Sequence, residues 1–348
     1  TSIGMWLLVF LLILPLIAAA QGKIAFVRQE NGIGADIFLM NPDGSNPVNI
    51  TNTAAGEPNS DEGFPAFSSD GTKIVFTAGS DVWVMNSDGS NRLRLTNGLI
   101  GAAAPKFSPD GSKIVFYAFT NPANADIYLM NANGSNLIRL TNSPGADGNP
   151  AFSPDGSKIV FTSSVANSSD IFLMNADGSN QINLTNSLGI GEGSTSFNPV
   201  DGRILFMAGP DFSLLPQQIY VMNPDGSNPI QLTNDSLFKR IPAFSFDGSK
   251  IVFDATEEAD IWSMNADGSN LVNLTGGNLT FDCCASWGNP PPPPDITPPV
   301  ITPNVVGTLG NNGWFVSDAE LSWTIVDNES PISSQTGCQN QVVNRHLS

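Results

Sequence analysis

Short apolar runs, each followed by a polar turn, recur along most of the chain. In residues 170–185, which read Asp-Ile-Phe-Leu-Met-Asn-Ala-Asp-Gly-Ser-Asn-Gln-Ile-Asn-Leu-Thr, two apolar runs flank an Asp-Gly turn. Near copies are spaced 42 to 48 residues apart, and they begin at Asp36, Asp81, Asp126, Gln218 and Asp260. A period of this size is typical of propellers and solenoids.

A second pair of apolar runs, around another Asp-Gly turn, precedes each copy. In residues 149–161 it reads Asn-Pro-Ala-Phe-Ser-Pro-Asp-Gly-Ser-Lys-Ile-Val-Phe. One repeat therefore contains four short strands, here named A to D, and four antiparallel strands at this spacing form one propeller blade. Strands B and C are apolar at consecutive positions, which indicates that both faces of each blade are covered by its neighbours.

The number of strands predicts how the ring closes. Strand B occurs six times, starting at Lys23, Lys73, Lys113, Lys158, Arg203 and Lys250. No strand A precedes the first of these, and a strand A without a following strand B appears only at 285–287. The sequence therefore predicts an all-β, six-bladed propeller over residues 21–289, in which the last strand A completes the first blade and no long sheet edge stays open.

Several of these strings resemble the WD40-like repeat of the TolB C-terminal propeller. Residues 107–116 and 152–161 both read Phe-Ser-Pro-Asp-Gly-Ser-Lys-Ile-Val-Phe, and Asp-Ile-Phe-Leu-Met-Asn and Leu-Thr-Asn add to the likeness. Tricorn-type and prolyl-oligopeptidase-type peptidases carry similar propellers. The resemblance covers residues 22–289 and implies the fold, but one propeller fold hosts many activities.

The two ends of the chain differ from the repeats. An apolar run from Trp6 to Ile17, followed by Ala18-Ala19-Ala20, predicts a signal peptide over residues 1–20 and hence export to the periplasm, the cell surface or the medium. Residues 290–303 are rich in proline and predict a stiff linker. Residues 304–348 resemble the opening of a bacterial Ig-like repeat, too short for a sandwich of roughly 100 residues, so that Cys338 is expected to lack its partner.

The charge of the chain narrows the class of partner. The formal net charge is -18, which argues against nucleic acid and anionic lipid because phosphates are repelled by an acidic surface. The sequence therefore favours a protein or glycan partner, with no membrane span after removal of the signal peptide. Only three cysteines occur, so packing and not disulfides is expected to hold the ring together.

The loops suggest where a partner could bind. The A–B and C–D turns are near copies and are expected on one face, whereas the B–C and D–A loops vary and are expected on the other. Variable loops on a rigid frame are the usual site of recognition. Candidate contacts on this variable-loop face are Glu57, Asp61, Glu62, Asp147, Glu192, Asp211, Glu257 and Glu258. The alternative is that these are ordinary solvated loop charges.

Catalysis by a nucleophile or a histidine is not supported. No Gly-x-Ser-x-Gly string occurs, and the one histidine, His346, lies in the tail, which leaves no Ser-His-Asp system or histidine-based metal site for the ring. Paired carboxylates stay open, but no spacing singles out a pair. We therefore expect no enzyme, no catalytic residue and no cofactor.

Calcium is the one cofactor that the sequence of the turns suggests. Asn41, Asp43 and Ser45 place oxygens on alternate residues, as calcium loops do. The glycine, however, stands fourth and not sixth, and no glutamate follows at the twelfth position. A metal-free Asp-Gly turn explains the same string.

The interpretation of function that follows is an exported, non-catalytic propeller that binds a protein or a glycan. Two alternatives remain. One is the propeller domain of a larger exported peptidase or hydrolase, and the other is a glycosidase or lyase that uses loop carboxylates.

Overall fold

A computed structural model describes most of the chain. The described residues are 22–29, 34–53, 61–121, 124–165, 168–187, 190–210, 216–255, 259–276, 280–289, 300–306, 319–326 and 341–343. Their regular secondary structure consists of β-strands only, and they include no helix that could cross a membrane. The chain divides into two compact units, residues 1–291 and 292–348.

The described residues of the first unit form 24 strands. In chain order they are β1 (Lys23–Gln29), β2 (Ala35–Met40), β3 (Val48–Asn49), β4 (Glu62–Phe67), β5 (Lys73–Ala78), β6 (Asp81–Asn86), β7 (Leu93–Arg94), β8 (Ile100–Phe107), β9 (Lys113–Asn121), β10 (Asn124–Asn131), β11 (Ile138–Arg139), β12 (Asp147–Phe152), β13 (Lys158–Val165), β14 (Ser168–Asn175), β15 (Ile182–Asn183), β16 (Ile190–Phe197), β17 (Ile204–Pro210), β18 (Gln218–Met222), β19 (Ile230–Gln231), β20 (Lys239–Phe244), β21 (Lys250–Ala255), β22 (Asp260–Asn265), β23 (Val272–Asn273) and β24 (Phe281–Gly288).

These strands form four-stranded antiparallel meanders in the predicted order A-B-C-D. The orders are β24-β1-β2-β3, β4-β5-β6-β7, β8-β9-β10-β11, β12-β13-β14-β15, β16-β17-β18-β19 and β20-β21-β22-β23. A single parallel bridge between Ser169 and Gly191 joins the fourth and fifth meanders into one eight-stranded sheet. The described residues of this unit therefore form four separate four-stranded sheets and one sheet of eight, and a count of six blades depends on dividing the larger sheet.

The first meander combines strands from both ends of the first unit. Strand β24 pairs antiparallel with β1, with Ile24 opposite Trp287 and Ala25 opposite Ser286. The predicted pairing of the strand around Trp287 with the strand that begins at Lys23 is therefore confirmed. The Arg28 guanidinium reinforces it, because Nε and Nη2 donate to the two carboxylate oxygens of Asp282 at 2.7 Å each.

The core lies between neighbouring meanders. Each strand B packs against the neighbouring sheet through buried apolar side chains, which include a phenylalanine. Both faces of these strands are covered, as the unbroken apolar runs predict. One cluster joins Phe76 and Ile74 of the second meander to Ala25 and Ile37 of the first. Another joins Phe26 of the first meander to residues of the last, so that packing continues across the two ends of the first unit.

The second unit contains one small sheet. Its strands are β25 (Val300–Val306), β26 (Ala319–Val326) and β27 (Gln341–Val343), in antiparallel order β25-β26-β27. Strand β26 includes the stretch 320–326, in which apolar and polar residues alternate as in a half-buried strand. Cys338 lies outside the described residues, so that the Ig-like interpretation stays a prediction.

Replacing Arg28 tests the pairing of the two ends of the first unit. Arg28→Ala leaves the fully buried Asp282 carboxylate without its cation, and we expect the free energy of unfolding to fall by about 3–5 kcal/mol. Urea unfolding followed by circular dichroism measures this change. Arg203→Ala is the matched control, because the Arg203–Asp201 pair is largely exposed and such pairs contribute about 0–1 kcal/mol. Equal losses in the two variants would contradict the role given to Arg28.

Candidate functional site

The A–B and C–D turns lie together on one face and are closed by internal hydrogen bonds. The Lys73 ammonium, at the end of an A–B turn, donates to Asn86 Oδ1 in the following C–D turn at 2.6 Å. In the C–D turn of residues 41–46, Asp43 Oδ1 accepts from the Ser45 amide at 2.9 Å and from its hydroxyl at 2.6 Å. The oxygens considered for calcium thus take part in the turn itself, which is how Asp-Gly turns are stabilised without a metal.

The opposite ends of the strands carry a threonine hydrogen bond in each meander. The hydroxyl of a threonine just after strand D accepts a hydrogen bond from the backbone N–H of the first residue in the apolar run of strand C, at 2.9–3.0 Å. The amide and hydroxyl pairs are Ile37–Thr51, Val82–Thr96, Ile127–Thr141, Ile171–Thr185, Ile219–Thr233 and Ile261–Thr275. This bond satisfies an amide at the end of the sheet where the ladder of strand D is only two residues long.

An aspartate at the start of strand C completes the arrangement in most meanders. The Thr96 hydroxyl donates to Asp81 Oδ1 at 2.9 Å, and the same contact joins Thr51 to Asp36 at 3.2 Å. We call this pair, with its backbone amide, the Asp–Thr link. The same contact joins Thr141 to Asp126 at 3.5 Å and Thr275 to Asp260 at 3.4 Å. In the fourth meander the Thr185 hydroxyl donates to Glu192 instead, and in the fifth Gln218 replaces the aspartate.

The structure places the eight predicted contact residues in two groups. Glu57, Asp211, Glu257 and Glu258 lie outside the described residues. Asp61 is exposed just before β4, whereas Glu62, Asp147 and Glu192 lie in strands A and are buried, with exposed fractions of 5%, 1% and 6%. These three side chains face the preceding meander and not the solvent, so burial leaves them little surface for a partner.

Glu62 connects two meanders. Its Oε1 accepts from the Thr53 hydroxyl at 2.9 Å, while the Thr53 amide donates to Asp36 at 2.9 Å. The Arg92 guanidinium lies 3.5 Å from the same carboxylate. Burial raises the pKa of Glu62, and the hydrogen bonds and Arg92 act against this shift.

Glu192 repeats this arrangement without a nearby cation. Ser187 donates through its amide to Asp170 at 3.1 Å and through its hydroxyl to Glu192 at 2.9 Å, and the Thr185 hydroxyl also donates to Glu192. Among the described residues, no basic side chain forms an ion pair with either carboxylate. Burial raises the pKa of Glu192, and the neighbouring Asp170 carboxylate adds to the rise.

Asp147 follows the same rule. The Ser143 hydroxyl lies within 3.0 Å of both carboxylate oxygens, and burial, aided by Asp126, raises the pKa of Asp147. Asp126 itself forms an ion pair with Arg139 at 2.7 Å. Each of the three buried acids therefore connects its own strand A to the preceding meander. Contact with a partner stays a prediction for Asp61 and for the four residues outside the described part.

The sequence analysis missed the role of the strand A position that Glu62, Asp147 and Glu192 share. Aligning the six repeats would have shown that Lys239 occupies it where strand C begins with Gln218 and not with aspartate. The Lys239 ammonium is buried and pairs with Asp235, and the Gln218 amide donates to the Asp235 carbonyl at 2.8 Å. Lys239 replaces the acid of strand A in the same repeat pair in which Gln218 replaces the aspartate of strand C. This joint replacement indicates that the two positions form a structural contact between meanders.

The described residues provide no assembled catalytic or metal centre. No group of three or more His, Cys, Asp or Glu side chains among them is placed to hold a metal ion. Asp170 and Glu192, one of the carboxylate pairs that come together, are both buried. Proton transfer to an external substrate requires contact with that substrate, and burial prevents such contact here.

Removing a hydroxyl tests the Asp–Thr link. Thr96→Val leaves the buried Val82 amide and one oxygen of Asp81 without their partner, and we expect a loss of about 1–3 kcal/mol in the free energy of unfolding. Thr96→Ser keeps the hydroxyl and is expected to lose about 1 kcal/mol or less. Urea unfolding of the three proteins measures the difference. A serine variant as unstable as the valine variant would show that methyl packing, not the hydrogen bond, matters.

The buried acid Glu192 makes a pH-dependent contribution to stability. Because its pKa in the folded chain lies above the ordinary 4.5, the folded state binds more protons, and stability falls as pH rises through the interval between the two values. Glu192→Gln removes this term, so its unfolding free energy relative to wild type should increase from about pH 4 to about pH 8. Denaturant unfolding at both pH values measures this.

Asp177→Asn is the control of opposite sign. Hydrogen bonds from Ser179 lower the pKa of Asp177, so its carboxylate stabilises the folded state once pH exceeds the unfolded value. The asparagine variant should therefore lose stability relative to wild type as pH rises through the interval just below the unfolded value of 3.8, and its difference from wild type should stay nearly constant between pH 4 and pH 8. An increase between pH 4 and pH 8 as large as that of the glutamine variant would contradict the assignment for Glu192.

Comparison with known proteins agrees with this geometry. The sequence model of the TolB beta propeller domain matches residues 17–215, more than half of the chain. No curated protein matches by sequence.

Solved structures share the fold. TolB from Acinetobacter baumannii is 23% identical with a TM-score of 0.66, over 77% of this chain and 66% of that one. Putative TolB from Agrobacterium tumefaciens is 18% identical with a TM-score of 0.57, over 77% and 98%. An oligogalacturonate lyase in complex with manganese is 13% identical with a TM-score of 0.51, over 69% and 70%.

Identities this low are informative about the fold alone, and the chain spans just under two thirds of the A. baumannii protein. The sequence model carries the assignment further, because it matches the repeats that build the meanders. The chain belongs to the TolB beta propeller domain family.

Proposed function

We propose that the chain is an exported, non-catalytic, six-bladed propeller that binds a partner through its variable-loop face. The observation that carries this proposal is the contrast between the two faces. The turn face repeats the same internally bonded turns, whereas the other face combines the repeated Asp–Thr links with loops of different length and composition. A rigid frame that presents dissimilar loops is suited to recognition.

The cyclic order of contacts supports six blades. Each meander contacts the next, and β24 contacts both β4 of the second meander and β20 and β21 of the sixth. The eight-stranded sheet is held across its middle by one bridge only. Each of its halves has its own Asp-Gly turns and its own threonine hydrogen bond, as the other meanders do, which favours two blades.

Export is supported by the sequence. Residues 1–20 have the pattern of a signal peptide, which supports a location in the periplasm or at the cell surface. The net charge of -18 favours solubility. The same charge favours a protein or glycan partner over nucleic acid. The linker and the small second sheet fit a propeller followed by further β modules.

A lyase or glycosidase is the second candidate. The raised pKa of Glu192 beside Asp170 is a feature that acid–base catalysts share, and a lyase has a similar fold. The burial of both side chains weighs against this candidate, because a substrate would have to open the contact between two meanders to reach them. The third possibility, a propeller of a larger hydrolase, has no observation in its favour in the described residues.

Binding and turnover measured on the same full chain separate these candidates. The probes are an array of oligosaccharides and a displayed library of random peptides, and the same classes serve as substrates with and without Mn²⁺. We expect specific binding without turnover. Turnover that disappears in Glu192→Gln would establish the enzyme instead.

Charge reversal locates the binding face. Asp61→Lys on the variable-loop face should weaken the strongest interaction about tenfold or more, as loss of about 1.4 kcal/mol requires. Asp225→Lys makes the same change of charge on the turn face and should leave the dissociation constant within about threefold of the wild-type value. Circular dichroism checks that both variants fold. The reverse pattern would place recognition on the turn face and overturn the proposal.

A further inference from the structure

The strands A converge on a small cavity. Each of them contains one non-glycine residue in the left-handed region, with φ from 47° to 61°, and these are Phe64, Ala104, Asn149, Ser194, Ile241 and Cys284. All six line the same cavity, whose volume is ≈ 40 Å³. Because every meander contributes one of them, the cavity lies where the innermost strands meet.

Lys106 is the one charged residue in the lining of this cavity. It lies in β8, at a position where the other A strands have the small residues Ala66, Ala151, Ser196, Ala243 and Ser286. Among the described residues, the Lys106 ammonium makes no ion pair and donates no side-chain hydrogen bond. The Lys106 side chain is half-buried. A partly desolvated ammonium without a counter-charge is unfavourable, and burial lowers the pKa of Lys106 to about 8.

Further hydrogen-bond donors line the same cavity. The Ser194 and Ser196 hydroxyls line the cavity, and neither donates to an acceptor within the described part of the chain. Other polar lining groups are occupied, since the Thr195 hydroxyl donates to the Asn149 carbonyl at 2.6 Å. The lining therefore offers a cation and two hydroxyl donors without an acceptor for them.

Asp254, which contacts the lining residue Cys284, and the Cys284 thiol itself do not act as counter-charges for Lys106. The Asp254 carboxylate forms its ion pair with Arg240 at 2.9 Å and also accepts the Cys284 amide at 3.3 Å. The hydrogen bond between the Cys283 and Cys284 sulfurs, together with burial, raises the pKa of the Cys284 thiol, so this thiol is neutral near pH 7. Neither group provides Lys106 with a negative partner.

We propose that this cavity binds one small monovalent anion, such as chloride, against the Lys106 ammonium and the Ser194 and Ser196 hydroxyls. A volume of ≈ 40 Å³ holds about three waters at roughly 10–15 Å³ each, which admits a halide but not a peptide or a sugar. One charge is sufficient to neutralise the lysine. The anion joins donors from the third and fifth meanders across the centre of the first unit, so it stabilises the ring independently of any partner on the variable-loop face.

Halide dependence of the full chain tests this site. At constant ionic strength, replacing gluconate by chloride should raise Tm by roughly 2–4 °C, because binding to the folded state alone stabilises it. Lys106→Met keeps the length of the side chain without its charge and should abolish this rise. Lys113→Met removes an exposed lysine and should retain it. A chloride response that is equal in all three proteins would overturn the proposal.

Bromide gives a second readout that does not depend on the variant folding. Crystals of the wild-type chain soaked in sodium bromide should show an anomalous peak within hydrogen-bond distance of Lys106 Nζ. A cavity without bromide, in a protein whose Tm is indifferent to chloride, would exclude an anion site there. Loss of partner binding without any change in these two measurements would refute only the function proposed above.

Discussion

The hydrogen bond between a strand C amide and the threonine hydroxyl after strand D is the contact on which each meander depends. Strand D pairs with strand C over only two residues, too short a ladder to hold an outer strand by itself. The threonine adds a third point of attachment. In most meanders its hydroxyl also donates a hydrogen bond to the aspartate at the start of strand C. Because this link stands at the end of the sheet, it also determines where the chain departs toward the next strand A.

The buried acids extend the same network from one meander to the next. Thr53 and Ser187 each use their amide for the aspartate of strand C and their hydroxyl for the glutamate of the following strand A. These blade interfaces therefore combine an apolar cluster with a polar contact at their loop end. In the sixth meander a lysine replaces the acid and pairs with Asp235, which maintains the contact with opposite charge.

The closure of the ring follows from the same combination at larger sequence separation. Strand β24 returns to β1, and Arg28 and Asp282, which are 254 residues apart, form a bidentate ion pair that is almost fully buried. An apolar cluster around Phe26 covers this junction from the side of the last meander. The ends of the first unit are thus bound to each other by main-chain pairing, charge and packing together, with no disulfide among the described residues.

Periodicity alone was sufficient to determine the strands, their order within a repeat, the Asp-Gly turns and the strand that completes the first meander. Those features depend on local preferences and on a pattern that six copies reinforce. The burial of Glu62, Asp147 and Glu192 could not be read from the sequence, since an acid followed by glycine, as in Glu-Gly-Phe-Pro, Asp-Gly-Asn-Pro and Glu-Gly-Ser-Thr, looks like part of a solvated loop. Its environment is decided by the neighbouring meander, whose threonine or serine is close only after folding. The same holds for Lys106, one lysine among ordinary surface cations in the sequence, which the convergence of six inner strands places in a cavity without a counter-charge.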